Sequence, residues 1–260
     1  MRAIVLVSAA TLMLLAGCAT GQPNVTAGQQ PAAISSPSAS AASSASTTKP
    51  VAAHSSTSAA PSSATPAGPP PTQRTVIRPV TADGQPAAGF TVTAEAGGQL
   101  ACGEHPEPSA VAVSPRIAFC LPGAEYAVAC WPSGTAGQAL CFRDAWSHTV
   151  ARVATDRAFD TRLVRAPAQP QPLALLLSDG TRCNIRDLGA WAAPKLHPDW
   201  VGYYSCGLTR VIYGPLADRD QAGIDESTSS WTVQVTAASG TGSFSTLRVV
   251  RAYFVGTFGG

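Results

Sequence analysis

Six cysteines lie between residues 102 and 206, and they constrain the fold of this chain more than any other feature. Their number is even, and no two of them form a Cys-x-x-Cys motif, so neither a thioredoxin-like redox site nor a paired-cysteine zinc site is indicated. In an exported protein such a set predicts structural disulfides, with the pairing left open. The six are Cys102, Cys120, Cys130, Cys141, Cys183 and Cys206.

Local spacing ranks the pairings. Cys130 and Cys141 flank the turn-rich residues 132–137 (PSGTAG), which favour a hairpin. The pair Cys183 and Cys206 follows a proline-rich stretch at 166–172. The remaining two, Cys102 and Cys120, are then left to each other.

The N-terminus carries an export signal. Arg2 precedes an apolar run at residues 3–15, which closes on Leu-Ala-Gly-Cys at 15–18. The run is shorter than the roughly 20 apolar residues of a transmembrane helix. The motif resembles a bacterial lipobox, which implies removal of residues 1–17 and lipid on Cys18. It also implies a mature protein anchored on the extracytoplasmic face of the cell membrane, because two or more acyl chains anchor stably.

Residues 18–72 predict a disordered, lipid-anchored stalk rich in Ala, Ser and Pro. Residues 19–72 contain no Phe, Trp or Tyr, and Lys49 is their single basic residue. Such a segment buries too little apolar surface to offset the entropy lost on ordering. As a flexible chain it spans roughly 40 Å. A plain spacer is favoured over an O-glycosylated stalk.

Residues 73–260 predict a disulfide-stapled globular domain, with a candidate sub-boundary near 166–172. The expected fold is mainly β, with α+β as its variant if short helices form at 145–153 and 187–193. Asp179-Gly180 between two apolar segments predicts a hairpin, because both turn positions need positive φ. Another hairpin is expected around residues 239–243. Strands are predicted at residues 90–94, 173–177, 182–185, 231–236 and 247–255.

Composition and motifs argue against several activities. Only 12% of residues are charged, the formal net charge is +2, and no basic cluster occurs, so nucleic acid is not a predicted partner. No His-Glu-x-x-His, Gly-x-Ser-x-Gly or phosphate-binding glycine loop occurs. Residues 218–226 resemble a calcium loop, but Ala222 and Ser229 occupy two ligand positions, so an acidic surface loop is favoured. No metal or cofactor is predicted.

The histidines suggest one weak catalytic candidate. His148 lies near Asp144 and could act as a base for a serine nucleophile. The other three, His54, His105 and His197, lie in the stalk or beside turn-forming residues. Surface histidines without a catalytic role are favoured.

Aromatic residues cluster near the cysteines. Exposed rings would form a stacking platform for cell-wall sugars, whereas buried rings would form core, and core is favoured. Trp200 and Tyr203 are the candidate ligand-binding residues, since residues 197–199 (HPD) and Gly202 indicate a loop there. The aromatic residues concerned are Trp131, Trp146, Trp191, Trp200, Tyr203 and Tyr204.

With these residues in view, the chain resembles an actinobacterial, mycobacterial-type cell-envelope lipoprotein. The resemblance rests on the lipobox, the stalk, residues 140–146 (LCFRDAW), and a stretch running from 178–183 (SDGTRC) through 202–206 (GYYSC) to 230–233 (SWTV). It covers most of the folded part. No activity is established for that group, so the resemblance transfers no catalytic residues.

These observations predict a membrane-anchored, extracytoplasmic lipoprotein that is a non-enzymatic binding or structural component of the cell envelope. Its expected partners are the membrane, through the lipid, and an envelope protein or glycan. The alternative is a hydrolase acting on cell-wall glycan or peptide, which would need a pocket where a histidine or carboxylates meet.

Overall fold

The regular structure of this chain is almost entirely β. The computed structural model describes residues 68–94, 99–102, 106–120, 128–155, 159–186 and 193–259, without the side chains of 218–220. All of these belong to one unit, Ser62–Gly260. The predicted signal peptide, Cys18, most of the stalk, His54, His105 and Trp191 lie outside the described residues.

The described part of the chain forms fourteen strands and one short 3₁₀ helix. They are β1 (Gln73–Thr81), β2 (Thr91–Ala94), β3 (Glu107–Pro108), β4 (Ala118–Phe119), β5 (Ala129–Pro132), β6 (Gln138–Phe142), β7 (Thr149–Ala154), β8 (Ala174–Leu177), β9 (Arg182–Ile185), β10 (Trp200–Cys206), β11 (Arg210–Pro215), the 3₁₀ helix (Leu216–Gln221), β12 (Ile224–Asp225), β13 (Thr232–Ala237) and β14 (Ser245–Phe258). No described helix has the length and apolar character needed to cross a membrane.

Six strands form a closed antiparallel barrel. Strands β8, β9, β10, β11, β13 and β14 pair in that order, and β14 then pairs back with β8, where Val249 lies opposite Leu177. Strand β12 adds to the side of β13. Strand β1 runs parallel to β14, from Gln73 opposite Arg251 to Thr81 opposite Phe258. Because β14 pairs back with β8, the six-stranded sheet closes on itself and does not end in two edge strands.

Apolar side chains fill the barrel, as expected for so few strands. Along β13 the alternating Val233 and Val235 are buried, which is the period-two pattern of a strand with one face in a core. Tyr204 is fully buried among them, and its hydroxyl donates a hydrogen bond to the Pro172 carbonyl at 2.8 Å. Burial raises the pKa of Tyr204 well above its ordinary value, so the phenol stays protonated and keeps this bond.

A second sheet of six strands packs beside the barrel. Its order is β2-β7-β6-β5-β4-β3, with β2 parallel to β7 and the other pairs antiparallel. One core cluster contains Trp131 and Phe142 from this sheet together with Leu173 and Val255 from the barrel side. The proline-rich residues 166–172 thus lead from the last strand of this sheet to the first strand of the barrel, and the two parts share a core.

Three disulfides are present, and the pairing favoured by local spacing is confirmed. Cys130 and Cys141 lie directly opposite each other on β5 and β6. The second bridge, Cys183–Cys206, joins β9 to β10, and Cys102–Cys120 closes the third. Bridges that close loops of 11 to 23 residues stabilise by about 3 kcal/mol each in the chain-entropy model.

The β-rich fold and the hairpins are confirmed, with two corrections. The helix expected at 145–153 is wrong: residues 149–154 form β7, where Val150, Ala151 and Val153 are buried. The other expected helix falls largely on residues outside the described part. The Asp179-Gly180 hairpin forms, but only Gly180 has positive φ (81°), and Leu177 pairs with Thr181 across a three-residue loop. This is a turn followed by a left-handed glycine rather than a two-residue turn.

Removing the Tyr204 hydroxyl should destabilise the barrel. In Tyr204→Phe the Pro172 carbonyl loses its buried donor, so we expect a loss of about 1–3 kcal/mol in the free energy of unfolding, measured by urea denaturation. The control is Tyr203→Phe, because the Tyr203 hydroxyl donates to the Pro215 carbonyl at 2.7 Å in a partly solvated place. Equal losses in the two variants would contradict a special role for the buried bond.

Candidate functional site

Trp200 lies in an aromatic cluster on the outside of the barrel. The His197 ring stacks on it at 4.0 Å between centroids, and Phe244 meets both rings edge-on at 5.2 and 5.3 Å. Phe244 also contacts Tyr213 on β11. Ile212 faces the barrel core, so its neighbour Tyr213 faces outward, and yet Tyr213 is fully buried. The cluster therefore covers the outer face of β11. A ligand-binding role for Trp200 stays a prediction.

Tyr203 is held by its surroundings. Its ring lies against Gly223, where an added Cβ would come within 2.9 Å of it, and its hydroxyl is bonded to the Pro215 carbonyl. Gly223 has φ of 72°, so a glycine is required there for conformation as well as space. These contacts fix the end of β11 to the turn before β12. A ligand contact at Tyr203 also stays a prediction.

The His148 and Asp144 pair is not assembled as a catalytic pair. Asp144 accepts hydrogen bonds from the Trp146 backbone N–H at 3.0 Å and the Asn184 amide at 3.2 Å, which joins its loop to β9. His148 packs beside Phe90, with centroids 5.6 Å apart. Within the described residues, no hydrogen bond joins His148 to Asp144, and no group of three or more His, Cys, Asp or Glu could hold a metal.

A different place on the molecule has the form of a ligand site. A cavity of about 570 Å³ opens where the ends of β1, β5 and β14 meet the loops at 114–116 and 159–162. Its volume falls within the range of about 300–1,000 Å³ that is usual for small-molecule sites. We call it the Trp131 cavity, after the residue that forms its inner wall.

The inner walls of the Trp131 cavity are apolar. Trp131 is 3% exposed, and its indole N–H donates to the Thr257 hydroxyl at 3.1 Å, which fixes the ring. Phe159 is half-buried and offers the more accessible aromatic surface. Pro115 and Pro132 complete these walls. The position of the Trp131 ring is therefore set before any ligand arrives.

The rim carries two arginines and two aspartates. Arg162 donates to both oxygens of Asp160, at 2.6 to 3.1 Å, and its backbone N–H adds a bond of 2.9 Å. These bonds hold the pKa of Asp160 below its ordinary value. Asp83 accepts from the Thr81 hydroxyl at 2.5 Å. The fourth group, Arg116, is exposed. With two arginines and two aspartates, the rim is charged but has no formal net charge.

Two backbone features shape the rim. Gly84 has φ of 75°, and a Cβ there would lie 2.3 Å from the Pro132 carbonyl oxygen, so only glycine lets the turn after β1 close on β5. Arg116 has φ of 67°, which is uncommon for a long side chain, and its N–H donates to the Val164 carbonyl at 3.0 Å. Strain of this kind is concentrated at functional sites.

None of the four charged groups on this rim was expected from the sequence to form a site. The Asp83-Gly84 dipeptide is a turn signal and could have drawn attention to one wall. Nothing in the sequence indicates that this turn meets residues 159–162, because the contact depends on how the two sheets pack.

A second cavity, of about 470 Å³, lies near the start of β1. Arg74 lies there over the rings of Phe254 and Trp231, at 4.4 and 5.6 Å from their centroids. Burial raises the pKa of Glu226, and the charge of Arg74 partly offsets that rise. Because its arginine is engaged with core rings and its lining lacks an aromatic wall, this cavity is the weaker candidate.

Glycine should be tolerated better than alanine at position 116. In a regular helix or strand, glycine lowers the free energy of unfolding by about 0.5–1 kcal/mol relative to alanine, whereas at φ of 67° the order reverses. We therefore expect Arg116→Gly to exceed Arg116→Ala in the free energy of unfolding by about 1 kcal/mol. Both variants lack the guanidinium, so the comparison isolates the backbone. A more stable alanine variant would show that residue 116 is unstrained.

Comparison of the chain with protein-family models, curated proteins and solved structures finds no match.

Proposed function

We propose that this chain is a lipid-anchored, extracytoplasmic binding protein of the cell envelope, and that the Trp131 cavity is its ligand site. The Leu-Ala-Gly-Cys motif at residues 15–18 and the stalk support the anchor. Three disulfides fit an exported domain. The observation that carries the binding role is the cavity itself, with a fixed Trp131 wall and a rim of mutually compensating charges.

The start of the domain is firmly attached to the barrel. The Thr72 N–H donates to the Ser229 carbonyl at 2.8 Å, and its hydroxyl bridges the Val249 carbonyl and the Trp231 N–H. Strand β1 then leads from Gln73 to Thr81, which lines the cavity. At about 3.3 Å per residue the nine steps from residue 72 to Thr81 place the cavity roughly 30 Å from the point where the predicted stalk ends. A tether at residue 72 would leave the cavity open to the envelope.

Binding is favoured over hydrolysis by the state of the groups at the rim. A glycosidase acid needs a raised pKa so that it holds a proton near neutral pH. The pKa of Asp160 is instead lowered by Arg162, so this carboxylate is ionised and occupied. The described lining includes no histidine to activate a hydroxyl, and the Thr81 and Ser133 hydroxyls bond within their own turns. These contacts suit a pre-organised binding site.

The anchor is tested by Cys18→Ser. This substitution removes the thiol that would carry lipid, so the protein should move from the detergent phase to the aqueous phase, or fail to be processed, in a phase-partitioning assay of cells. Equal partitioning and processing of variant and wild type would contradict the lipid anchor.

The cavity is tested by Ala82→Trp. Ala82 is an exposed residue on the cavity wall, so an indole there should fill the opening without disturbing the core. In competitive growth against wild type, a deletion strain carrying this variant should behave as the deletion strain does. The matched control is Ala88→Trp, at an exposed residue of the same connection outside the cavity lining. Full function of Ala82→Trp, with normal amounts of protein, would show that the cavity is not the site.

A further inference from the structure

We infer that the Trp131 cavity takes an uncharged glycan unit of one or two sugar rings. This inference rests on the proposed function, since it names the ligand of the same cavity. It follows from three properties of the described lining: its charge balance, its division into apolar walls and a polar rim, and the engagement of β1 and β14 with other backbone at its opening.

Charge balance disfavours an ionic ligand. Asp160 and Arg162 neutralise each other through three side-chain hydrogen bonds. The two charges left are Asp83 and Arg116, one of each sign. The rim therefore has no excess of either sign, so neither an anion nor a cation gains a net attraction that would offset the hydration it loses on binding. An uncharged ligand does not depend on such an attraction, and its polar groups can bond to the exposed Asp83 and Arg116.

The division of the lining suits a sugar ring. One face of a pyranose presents C–H groups, which pack on aromatic and proline surfaces such as Phe159 and Pro115. Its hydroxyls are donors and acceptors at once, so they can bond to carboxylates, which only accept, and to guanidinium groups, which only donate. Trp131 is too buried to act as a stacking platform, and it serves as the rigid end wall.

The opening does not suit an extended peptide. Peptides that bind as added strands need an unpaired strand edge. At the cavity, β1 and β14 pair with each other, with Val80 opposite Thr257 and Thr81 opposite Phe258. The other side of β1 is occupied there as well, because the Thr81 N–H donates to the Gln85 carbonyl. A peptide therefore meets engaged backbone where it would have to add to β1 or β14.

The test follows the indole N–H resonances of the full chain, ¹⁵N-labelled at tryptophan and solubilised in a phosphocholine detergent. N,N′-diacetylchitobiose is the neutral disaccharide probe. It should shift the Trp131 resonance saturably and leave that of Trp231, which lies in the barrel core, unchanged. The Ala82→Trp variant should weaken this binding by at least about tenfold, while Ala88→Trp should retain it.

Three single-ring probes test the charge argument. N-acetylglucosamine is neutral, glucosamine is a cation, and glucuronate is an anion. We expect the neutral sugar to bind about two- to fivefold more tightly than either charged one, the size expected for exposed charges. A neutral blocked tetra-alanine serves as the peptide probe and should leave the Trp131 resonance in place.

The outcomes separate the inference from the proposed function. No saturable Trp131 shift with any sugar, tighter binding of a charged sugar, or binding of the peptide instead would overturn the glycan assignment. If Ala82→Trp still fails in competitive growth in those cases, the cavity remains the functional site with another ligand. If sugars bind and Ala82→Trp grows normally, the glycan assignment holds for the cavity and the proposed function is wrong.

Discussion

Strand β14 is the element on which the rest of this fold depends. It pairs with β13, β8 and β1, and these three ladders close the barrel and attach the first strand of the domain. Its register with β8 is irregular between Val249 and Arg251, which is where its ladder with β13 has ended at Arg248 and its ladder with β1 begins. Further along, Gly256 lets β1 and the 113–114 segment approach closely, because a Cβ there would lie 2.9 Å from Val76. The next residue, Thr257, reaches the Trp131 cavity.

The parts of the fold that could be predicted from the sequence are those set by local chemistry. The three hairpins were predictable because turn residues separate their strands, and the Cys130–Cys141 bridge spans one of these turns. Barrel closure could not be predicted, because the pairing of Val249 with Leu177 joins distant residues. The pairing of β1 with β14 depends on the same long-range packing, which no local pattern encodes. The misassigned helix at 145–153 has a related cause, since the cores override weak local preference there.

The candidate site was less predictable than the fold. The sequence favoured a site among the aromatic residues near the cysteines, at Trp200 and Tyr203. In the structure Trp200 packs against His197 and Phe244, and Tyr203 packs against the turn at Gly223. Trp131, from the same set, was assigned to core and is buried, yet one side of it borders the cavity. A residue can fill both roles when several chain segments converge on it. The converging segments here come from both sheets, so no single stretch of sequence carries the pattern.

In the glycan assignment that we propose, a charged site takes an uncharged ligand, and the rim of the Trp131 cavity offers a physical reason. Its most strongly paired groups, Asp160 and Arg162, are only two residues apart, so their geometry is maintained by a short local turn and not by the ligand. The turn that carries Asp83 is held against β5 by the close approach of Gly84 to Pro132. Arg116 is held in an unfavourable backbone conformation by its bond to Val164. Backbone segments fixed in this way lose little entropy when a ligand binds, which would let hydrogen bonds to an uncharged partner contribute to affinity. Mutual neutralisation then makes shape and hydrogen bonding, more than net charge, the basis for selecting that partner.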